Sequence, residues 1–323
     1  MYGSDIKISI GHQNSYGTAV TTAGSFTAIS VLSETFANEK APLEITNMRG
    51  VFDAGPTKEG LNSISGGLEA EANPLSLGNL LKSVVGDPTS TKVNSAAVYN
   101  HVFIPNSSDF DRFAAMRPVT IVKDFGNGSS ADLMYDMVGS NLSLTIANGE
   151  LLKVSTEFMG GKQSHKASVA TSFEDTARAF AWDVASAALG GVAVEEIRDL
   201  SVTLDNALAN KHTFNASKEP SRTKRDGFRT CTIEGNMMFE TMSHYLSWKS
   251  QTEQSFMLHL ATTGSQISSG YTDALTIQCP TFKFDEFKPA AGGPSQIEVP
   301  IKGRAIYNVG SGHSIQITLT NTK

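Results

Sequence analysis

Short segments in which apolar and polar residues alternate are the feature that most limits the fold of this chain. Residues 119–122, 142–146, 200–204 and 315–319 largely place Ser, Thr or Gln between apolar residues. Successive side chains of a strand point to opposite faces of a sheet, so a period of two predicts strands with one face on a core. Asn148-Gly149 adds a hairpin turn, because both residues tolerate a positive φ. The chain is therefore predicted to be mainly β.

Few segments show the three- and four-residue spacing of a helix. Residues 73–85 begin with Asn-Pro, an N-cap followed by proline at the first helical position, and Gly86 follows as a C-cap. Residues 241–249 form a second candidate, and 173–180 a weaker one. The sequence predicts a β protein with a small number of flanking helices.

The two stronger helices expose an internal repeat. Ile64–Glu71 comes just before the first helix and Ile233–Glu240 before the second, and the two segments share an Ile, a Gly and the final Glu. Each half then leads through a Ser/Thr/Gly-rich region into a strand pair. The recurrence predicts a duplicated domain of roughly 150 residues. We expect one domain over 1–162 and another over 177–323, joined by a polar linker over 163–176.

Net charge limits the class of partner. The formal charge is −6 and the isoelectric point is about 5.7, whereas domains that grip nucleic acid are usually basic. The first half, residues 1–161, contains ten basic and 16 acidic residues, and the second half contains 16 of each. All the excess acid therefore lies in the first half.

Charged loops occupy similar places in the two halves. The basic cluster before the second repeated strand comprises Lys218, Arg222, Lys224, Arg225 and Arg229, and the first half has Glu39, Glu44, Asp53 and Glu59 in the matching segment. A solvated loop is one interpretation of the basic cluster. The other is a docking loop for an acidic surface, which head-to-tail or stacked self-assembly of this chain would supply.

Glutamates on the repeated strands suggest a second site. Glu69 and Glu71 share a strand face, and Glu234 and Glu240 share one in the second half. Such residues usually only face water. If the sheet closed around a channel, they would form an acidic lining.

Catalytic and cofactor motifs are missing from the sequence. There is no phosphate-binding loop, no G-x-S-x-G motif and no histidine pair with metal-ligand spacing, so no cofactor or metal is expected. The paired carboxylates at 109–111 and 285–286 lie in loop-like contexts, and 124–132 is interpreted as a hairpin tip rather than a calcium loop. We therefore expect a protein that is not an enzyme.

Other features concern the compartment. Cys231 and Cys279 fall in strand-like segments, which indicates two core thiols in a reducing environment. No apolar segment is long enough to cross a membrane, and the N-terminus does not have the apolar core of a signal peptide. Synthesis in a cytoplasm, with no membrane partner, is the expectation.

Taken in order, these motifs resemble the tail tube (major tail) proteins of long-tailed, non-contractile bacteriophages, in the version with a duplicated tube domain. The opening, Ile10–Ala19 (IGHQNSYGTA) followed by a short strand, is similar to that family's N-terminal segment. Gly66 with the 73–86 helix resembles its strand-then-helix core. Residues 200–206, the basic loop and Ile233–Glu240 resemble the start of a second tube domain, although Asp205-Asn206 has no evident counterpart in the first half.

The resemblance implies two tandem β-sandwich or barrel domains, each with one flanking α-helix. It implies a structural virion protein that assembles as trimeric, pseudo-hexameric rings, stacked into a hollow tail tube through which DNA is delivered without specific binding. The implied partners are the chain itself and the tape measure, tail terminator and distal tail proteins. The implied place is the virion tail, assembled in the host bacterial cytoplasm.

Two other functions remain open at this point. One is another tube or tail-tip component of the same fold, such as a distal tail protein or a type VI secretion tube protein. The other is a carbohydrate-binding or hydrolytic β-sandwich, for which Trp182 and Trp248 are the only tryptophans available as a binding platform.

Overall fold

The computed structural model describes residues 2–47, 53, 55–93, 97–106, 117–126, 130–166, 173, 178–268, 270–290 and 293–322, with the side chains of 263–266 excepted. This part of the chain is mainly β, as the period of two predicts. The first-half strands are β1 (Lys7–His12), β2 (Thr27–Ile29), β3 (Val31–Glu34), β4 (Ala37–Glu44), β5 (Thr57–Glu71), β6 (Thr89–Lys92), β7 (Tyr99–Phe103), β8 (Val119–Asp124), β9 (Ala131–Ala147) and β10 (Lys153–Lys166).

The second-half strands are β11 (Ser186–Leu189), β12 (Val192–Val194), β13 (Ile197–Asp205), β14 (Leu208–Lys211), β15 (Arg222–Arg225), β16 (Thr230–Met238), β17 (Gln254–Ser268), β18 (Tyr271–Phe287), β19 (Glu298–Ala305) and β20 (Gln316–Asn321). The helices are α1 (Pro74–Val85) and α2 (Met242–Lys249). Both stronger helix predictions are confirmed. Half of the weaker 173–180 prediction, residues 174–177, lies outside the described residues.

The two halves have the same strand order. In the first half the antiparallel order is β2-β1-β8-β9-β10-β5, with β3 and β4 together on the outer edge of β5. In the second half the order is β12-β11-β17-β18-β19-β16-β13. The helix of each half follows the strand that corresponds to β5, which is β16 in the second half.

Strand pairing joins the halves. β9 pairs with β13, and β20 pairs with β7, which forms a hairpin with β6. A single cluster of buried apolar side chains runs through both halves, and it includes large residues such as Phe158 and Phe282. The hairpin β6–β7 follows α1, whereas α2 leads almost directly into β17. The second half therefore has no hairpin at the position of β6–β7 in the described part of the chain.

Helix α1 forms as its sequence predicts. The Asn73 side chain accepts a hydrogen bond from the Leu75 amide at 2.9 Å, which satisfies an otherwise unpaired donor of the first turn. Leu77, Leu80, Leu81 and Val84 are buried. The helix ends at Gly86, whose φ of +113° favours glycine.

Helix α2 differs from α1 in its burial. Of its eight residues none is buried, and Met242 and Leu246 are each 54% exposed. Tyr245 and Trp248 pack partly against the core. A helix with so little buried surface gains little from packing within the chain.

Two boundaries differ from the prediction. β10 continues to Lys166 because its last residues still pair with β9, so the first four residues of the predicted linker belong to a strand. Residues 285–286, expected in a loop, lie within β18. There, the register shift between Phe284 and Glu286 marks a bulge at Asp285.

Candidate functional site

The seam between β9 and β13 creates one continuous sheet surface across the chain. The order across it is β5-β10-β9-β13-β16-β19-β18. Along β13, Leu200, Val202 and Leu204 are buried, and the residues between them face the other way. The sheet therefore has one face on the core and one open face that spans both halves.

Residues on the open face line up across the strands. One row, given by the strand registers, is Glu71, Lys153, Thr145, Ser201, Glu234, Lys302 and Glu286. Hydroxyl groups connect the two halves at the seam: Ser143 Oγ lies 3.0 Å from Thr203 Oγ1, and Thr145 Oγ1 lies 3.1 Å from Ser201 Oγ. Short hydroxyl side chains thus form the middle of this face.

Acidic groups exceed basic groups on the described part of the open face. The acids are Glu69, Glu71, Glu157, Asp199, Asp205, Glu234, Asp285, Glu286 and Glu298, and the bases are Lys153, Lys283, Lys302 and Arg304. Three of the four bases have a carboxylate partner: Lys153 lies 2.8 Å from Glu150, Lys302 pairs with Glu234, and Arg304 lies 3.1 Å from Asp285.

The pairing has an electrostatic consequence for an anion near this face. Hydrogen bonding and charge from Glu150 raise the pKa of Lys153, and Glu234 raises the pKa of Lys302 in the same way. Both ammonium groups stay charged but are already neutralised by a neighbour. A phosphate chain passing over the face therefore finds few uncompensated cations to bind.

The four glutamates predicted to line a channel do not all reach this face. Glu69, Glu71 and Glu234 lie on it. Glu240 does not, because β16 ends at Met238 and Glu240 lies between that strand and α2, where it accepts a hydrogen bond from Gln296 Nε2 at 3.3 Å. Strand alternation therefore does not extend to position 240.

The predicted charged loops are two neighbouring hairpins. β14–β15 carries most of the basic cluster and β4–β5 carries the acidic residues, with Glu39 and Glu44 on exposed β4 and Asp53 exposed near the hairpin tip. Within the chain, Lys218 forms an ion pair with Glu59, and its carbonyl accepts a hydrogen bond from the Asn62 amide at 2.8 Å. The Lys218 ammonium lowers the pKa of the Glu59 carboxyl.

Members of the basic cluster divide into two groups. Arg222 is exposed and Lys224 half-buried on β15. Arg225 and Arg229 instead approach the buried Asn206, with Arg229 Nε donating to Asn206 Oδ1 at 3.1 Å. Arg222 and Lys224 are thus the more available to a partner, whereas the other two arginines contribute to the fold.

A groove of about 360 Å³ separates the basic hairpin from the first half. Its walls include Tyr16 and Asp136 on one side and Pro220 and Arg222 on the other. Lys162 also lines the groove, and its Nζ lies 3.8 Å from the Asp136 carboxylate.

Two exposed aromatic residues beside this hairpin are missed by reasoning from the sequence. Phe214, between β14 and β15, and Phe228, between β15 and β16, project almost fully into solvent. Large aromatic side chains that stay this exposed commonly mark contact surfaces. The signal available in the sequence is a phenylalanine inside a polar, turn-rich segment, at Thr213-Phe214-Asn215 and Gly227-Phe228.

Other candidate chemical groups are placed as follows. Residues 109–111 lie outside the described residues, as does the centre of the 124–132 loop. Within the described part of the chain, no three His, Cys, Asp or Glu side chains come together as metal ligands. Cys231 and Cys279 are buried free thiols, and hydrogen bonding to Cys231, with burial, raises the pKa of Cys279.

These observations define a β protein built around one joined sheet, whose distinctive surfaces are a polar open face and paired charged hairpins. The family model for the phage tail tube protein matches residues 3–305, and the chain belongs to this family. The protein is thus a structural component of the phage tail, located in the virion. No curated protein matches the chain. Among the described residues, no helix has the length and apolar character needed to span a membrane.

Proposed function

We propose that this protein polymerises as stacked rings into the hollow tail tube through which phage DNA reaches the host. The observation that supports this most directly is the continuous sheet across both halves, with apolar residues on its core face and a polar, mainly acidic open face. A closed tube needs such a surface, because its inner wall must contact water and DNA at once. Sheet closure also removes exposed strand edges.

The chain supplies two tube domains to each ring in this proposal. They correspond to residues 1–162 and 177–323, with 163–176 between them. The shared strand order of the halves supports this division. Three chains would then provide six similar domains, which gives a trimeric, pseudo-hexameric ring.

The open face would line the lumen, with Glu69, Glu71 and Glu234 in the wall. An acidic wall repels the DNA phosphates, and two of its lysines, Lys153 and Lys302, are already paired with carboxylates. DNA would therefore slide without specific binding. A basic lining would hold DNA in a salt-dependent way.

Assembly would take place in the host bacterial cytoplasm, with further tail proteins at defined positions. A tape measure protein would occupy the lumen during growth, a terminator would cap one end, and a distal tail protein would start the other. The chain's main partner is itself.

Negative-stain electron microscopy of the purified protein tests the proposal. We expect long hollow tubes, or rings with a six-lobed outline. A chain that stays monomeric at high concentration and binds glycans on an array would contradict the tube function and favour a carbohydrate-binding β-sandwich. Rings that never stack would favour a tail-tip component of the same fold.

Ring stacking through the charged hairpins has its own test. Arg222→Glu with Lys224→Glu should leave single rings but abolish tubes, because it reverses the sign of the available basic surface. Arg225 is left unchanged because it contacts Asn206. The matched control, Lys7→Glu with Lys92→Glu, makes the same change of charge on exposed strand residues outside the two charged hairpins β4–β5 and β14–β15. Normal tubes from the hairpin variant would rule out stacking through these residues.

A further inference from the structure

The junction between the two halves has three parts. β9 and β13 pair over Asn141–Ala147 and Asp199–Asp205. The Asn206 amide extends the pairing by donating to the Ser140 carbonyl at 2.8 Å. Helix α1 runs beside this seam.

Helix α1 is buried partly by the other half of the chain. Its Pro74 carbonyl accepts a hydrogen bond from Asn321 Nδ2 at 2.8 Å, and a Cβ at Gly78 would lie 3.4 Å from Leu319. Both of these partners belong to β20 in the second half. The first half therefore provides a strand segment and a helix, and the second half provides a strand edge and a surface that covers the helix.

Matching bulges align the halves residue by residue. The β3–β5 pairing has a one-residue bulge at Leu32, and the β13–β16 pairing has one at Arg198. Aligned on these bulges, the segment 31–40 corresponds to 197–206 without a gap. β9 and β18 have bulges as well, at Ser140 and Asp285, where they pair with β10 and β19.

The correspondence identifies the first half's equivalent of β13. It is the β3–β4 edge, defined as residues 31–40. In the described part of the chain, β3 and β4 pair with β5 and with no other strand. Most of β4 is exposed, and Leu32 is 55% exposed. An exposed strand edge with apolar side chains is a template for pairing with another chain.

In the second half, the end of β18 corresponds to the part of β9 that forms the seam. Pairing of β18 with β17 stops at Phe282, and β18 continues to Phe287 with β19 on one side only. The Asp285 carbonyl accepts a hydrogen bond from Trp248 Nε1 at 3.2 Å. Ser140 and Asp285 are equivalent bulge residues. The Asn206 amide donates to the carbonyl of Ser140, and the Trp248 side chain donates to the carbonyl of Asp285.

Two exposed residues of helix α2 stand at positions that are covered in helix α1. Counting from the N-caps Asn73 and Thr241, Met242 stands at the position of Pro74 and Leu246 at the position of Gly78. Pro74 and Gly78 are the α1 positions that Asn321 and Leu319 of β20 contact. Met242 and Leu246 are each 54% exposed, and so the covering that α1 receives within the chain is missing on α2.

We propose that a second copy of this chain provides the covering that α2 lacks. The β3–β4 edge of one copy pairs with the end of β18 in the next copy. The first half of the copy that provides this edge also covers Met242 and Leu246 of the next copy. This inference rests on the proposed function and specifies its lateral contact. Each copy has one surface of each kind, so the contact is heterologous and can close a ring. In a ring of three copies, three seams lie within chains and three between them.

The equivalence also fixes the register. Asp205 pairs with Asn141 within the chain, so Glu39 should lie opposite Glu286 across copies. Lys288 Nζ lies 2.7 Å from Glu286, which reduces the repulsion between these carboxylates. Pro289 corresponds to Leu144 and has no amide hydrogen, so the seam between copies offers fewer donors than the seam within a chain.

Substitution of the exposed helix residues is the first test. Met242→Glu with Leu246→Glu should leave the melting temperature unchanged, because both side chains are exposed in the single chain. Sedimentation velocity should show a monomer at concentrations where the natural sequence forms rings. The control, Val192→Glu with Val309→Glu, changes two other exposed apolar residues and should still form rings. Rings from the Met242/Leu246 variant would overturn the proposal.

Cysteine crosslinking tests the register. Glu39→Cys with Glu286→Cys places two thiols opposite each other, at the Cα separation of about 4.5–5.5 Å that both strand pairing and a disulfide allow. Mild oxidation should give covalent dimers and trimers on non-reducing gels. Glu44→Cys with Glu286→Cys should give none. Assembled material without the Glu39–Glu286 crosslink would overturn the seam alone, whereas a natural chain that never assembles contradicts the tube function itself.

Discussion

Gln13 and Asp136 hold each other through two hydrogen bonds. The Asp136 amide donates to Gln13 Oε1 at 2.7 Å, and Gln13 Nε2 donates to Asp136 Oδ1 at 2.9 Å. Asp136 has a φ of +59°, which a non-glycine residue adopts only where its surroundings hold it. The Gly17 amide donates to the same carboxylate oxygen at 2.7 Å. The pair thereby fastens the IGHQNSYGTA motif to β9.

Replacement of Gln13 should be costly for the fold. The side chain is fully buried, and Gln13→Ala leaves the Asp136 amide without its acceptor. We expect the free energy of unfolding to fall by about 2–3 kcal/mol, measured by urea denaturation. Gln278→Ala, on an exposed part of β18, should change it by less than about 0.5 kcal/mol. Equal effects of the two substitutions would contradict this role for Gln13.

His12 should make stability depend on pH. Burial, with the nearby charges of Lys82 and Arg117, lowers the pKa of His12 to about 4. An unfolded chain has the ordinary value of 6.5, so between these values the unfolded state binds more protons than the folded state. The contribution is fully present above pH 6.5 and is lost as the pH falls toward 4. The loss is at most about 3 kcal/mol.

Comparison of two histidine variants isolates this effect. His12→Gln removes the titrating group but can still hydrogen bond to Asn79, whose Oδ1 lies 3.2 Å from His12 Nε2. Urea unfolding at pH 7 and pH 5 should show a smaller difference between the two pH values for His12→Gln than for the natural chain. His313→Gln, in the turn before β20, should keep the natural difference. An unchanged pH dependence in His12→Gln would exclude His12 as the source.

Much of the local structure follows from the sequence. The period of two at 142–146 and 200–204 lies in β9 and β13, and the helix signals at 73–86 are confirmed in detail. The sequence also predicts a repeat, but it does not predict the register in which the two halves correspond. Matching bulges align Glu71 with Met238, whereas the sequence match aligned it with Glu240. A slip of two residues keeps each side chain on the same face, so hydrophobic alternation cannot detect it.

The same slip explains why sequence comparison finds no counterpart of Asp205-Asn206 in the first half. Their structural equivalents are Glu39 and Lys40 on β4. The sequence also does not predict two contacts, the ion pair of Lys218 with Glu59 and the seam between β9 and β13. Both depend on which strand edges meet in space. Local propensity contains no information about that choice.

The close approach of α1 to β9 predicts a second sensitive position. A Cβ at Gly139 would lie 2.6 Å from Val84 Cγ2 and 2.7 Å from the Ser83 carbonyl oxygen. Gly139→Ala must therefore displace the last turn of the helix, and we expect a loss of about 1–3 kcal/mol in the free energy of unfolding. Gly24→Ala, where no atom lies within 4 Å of the added Cβ, should be nearly neutral in the same denaturation experiment.

Asn206 connects the helix end, the seam and the basic cluster. It is fully buried, and its Nδ2 donates to the Val84 carbonyl at 2.8 Å and to the Gly139 carbonyl at 3.2 Å. Asn206→Ala removes these donors and the acceptor of Arg229. We expect the free energy of unfolding to fall by about 2–3 kcal/mol.

Hydrogen exchange can separate the local effect of Asn206→Ala from a global one. Amides of β13 and of the last turn of α1 should exchange faster, since the two halves separate more readily when the seam loses its end. Amides of β17, on the far side of the second half, should change only as much as global stability requires. Asn215→Ala serves as the control, because its side chain accepts only a local, exposed hydrogen bond from the Ser217 amide. If β13 and β17 lost protection equally in Asn206→Ala, the side chain would stabilise the whole fold rather than the junction between its halves.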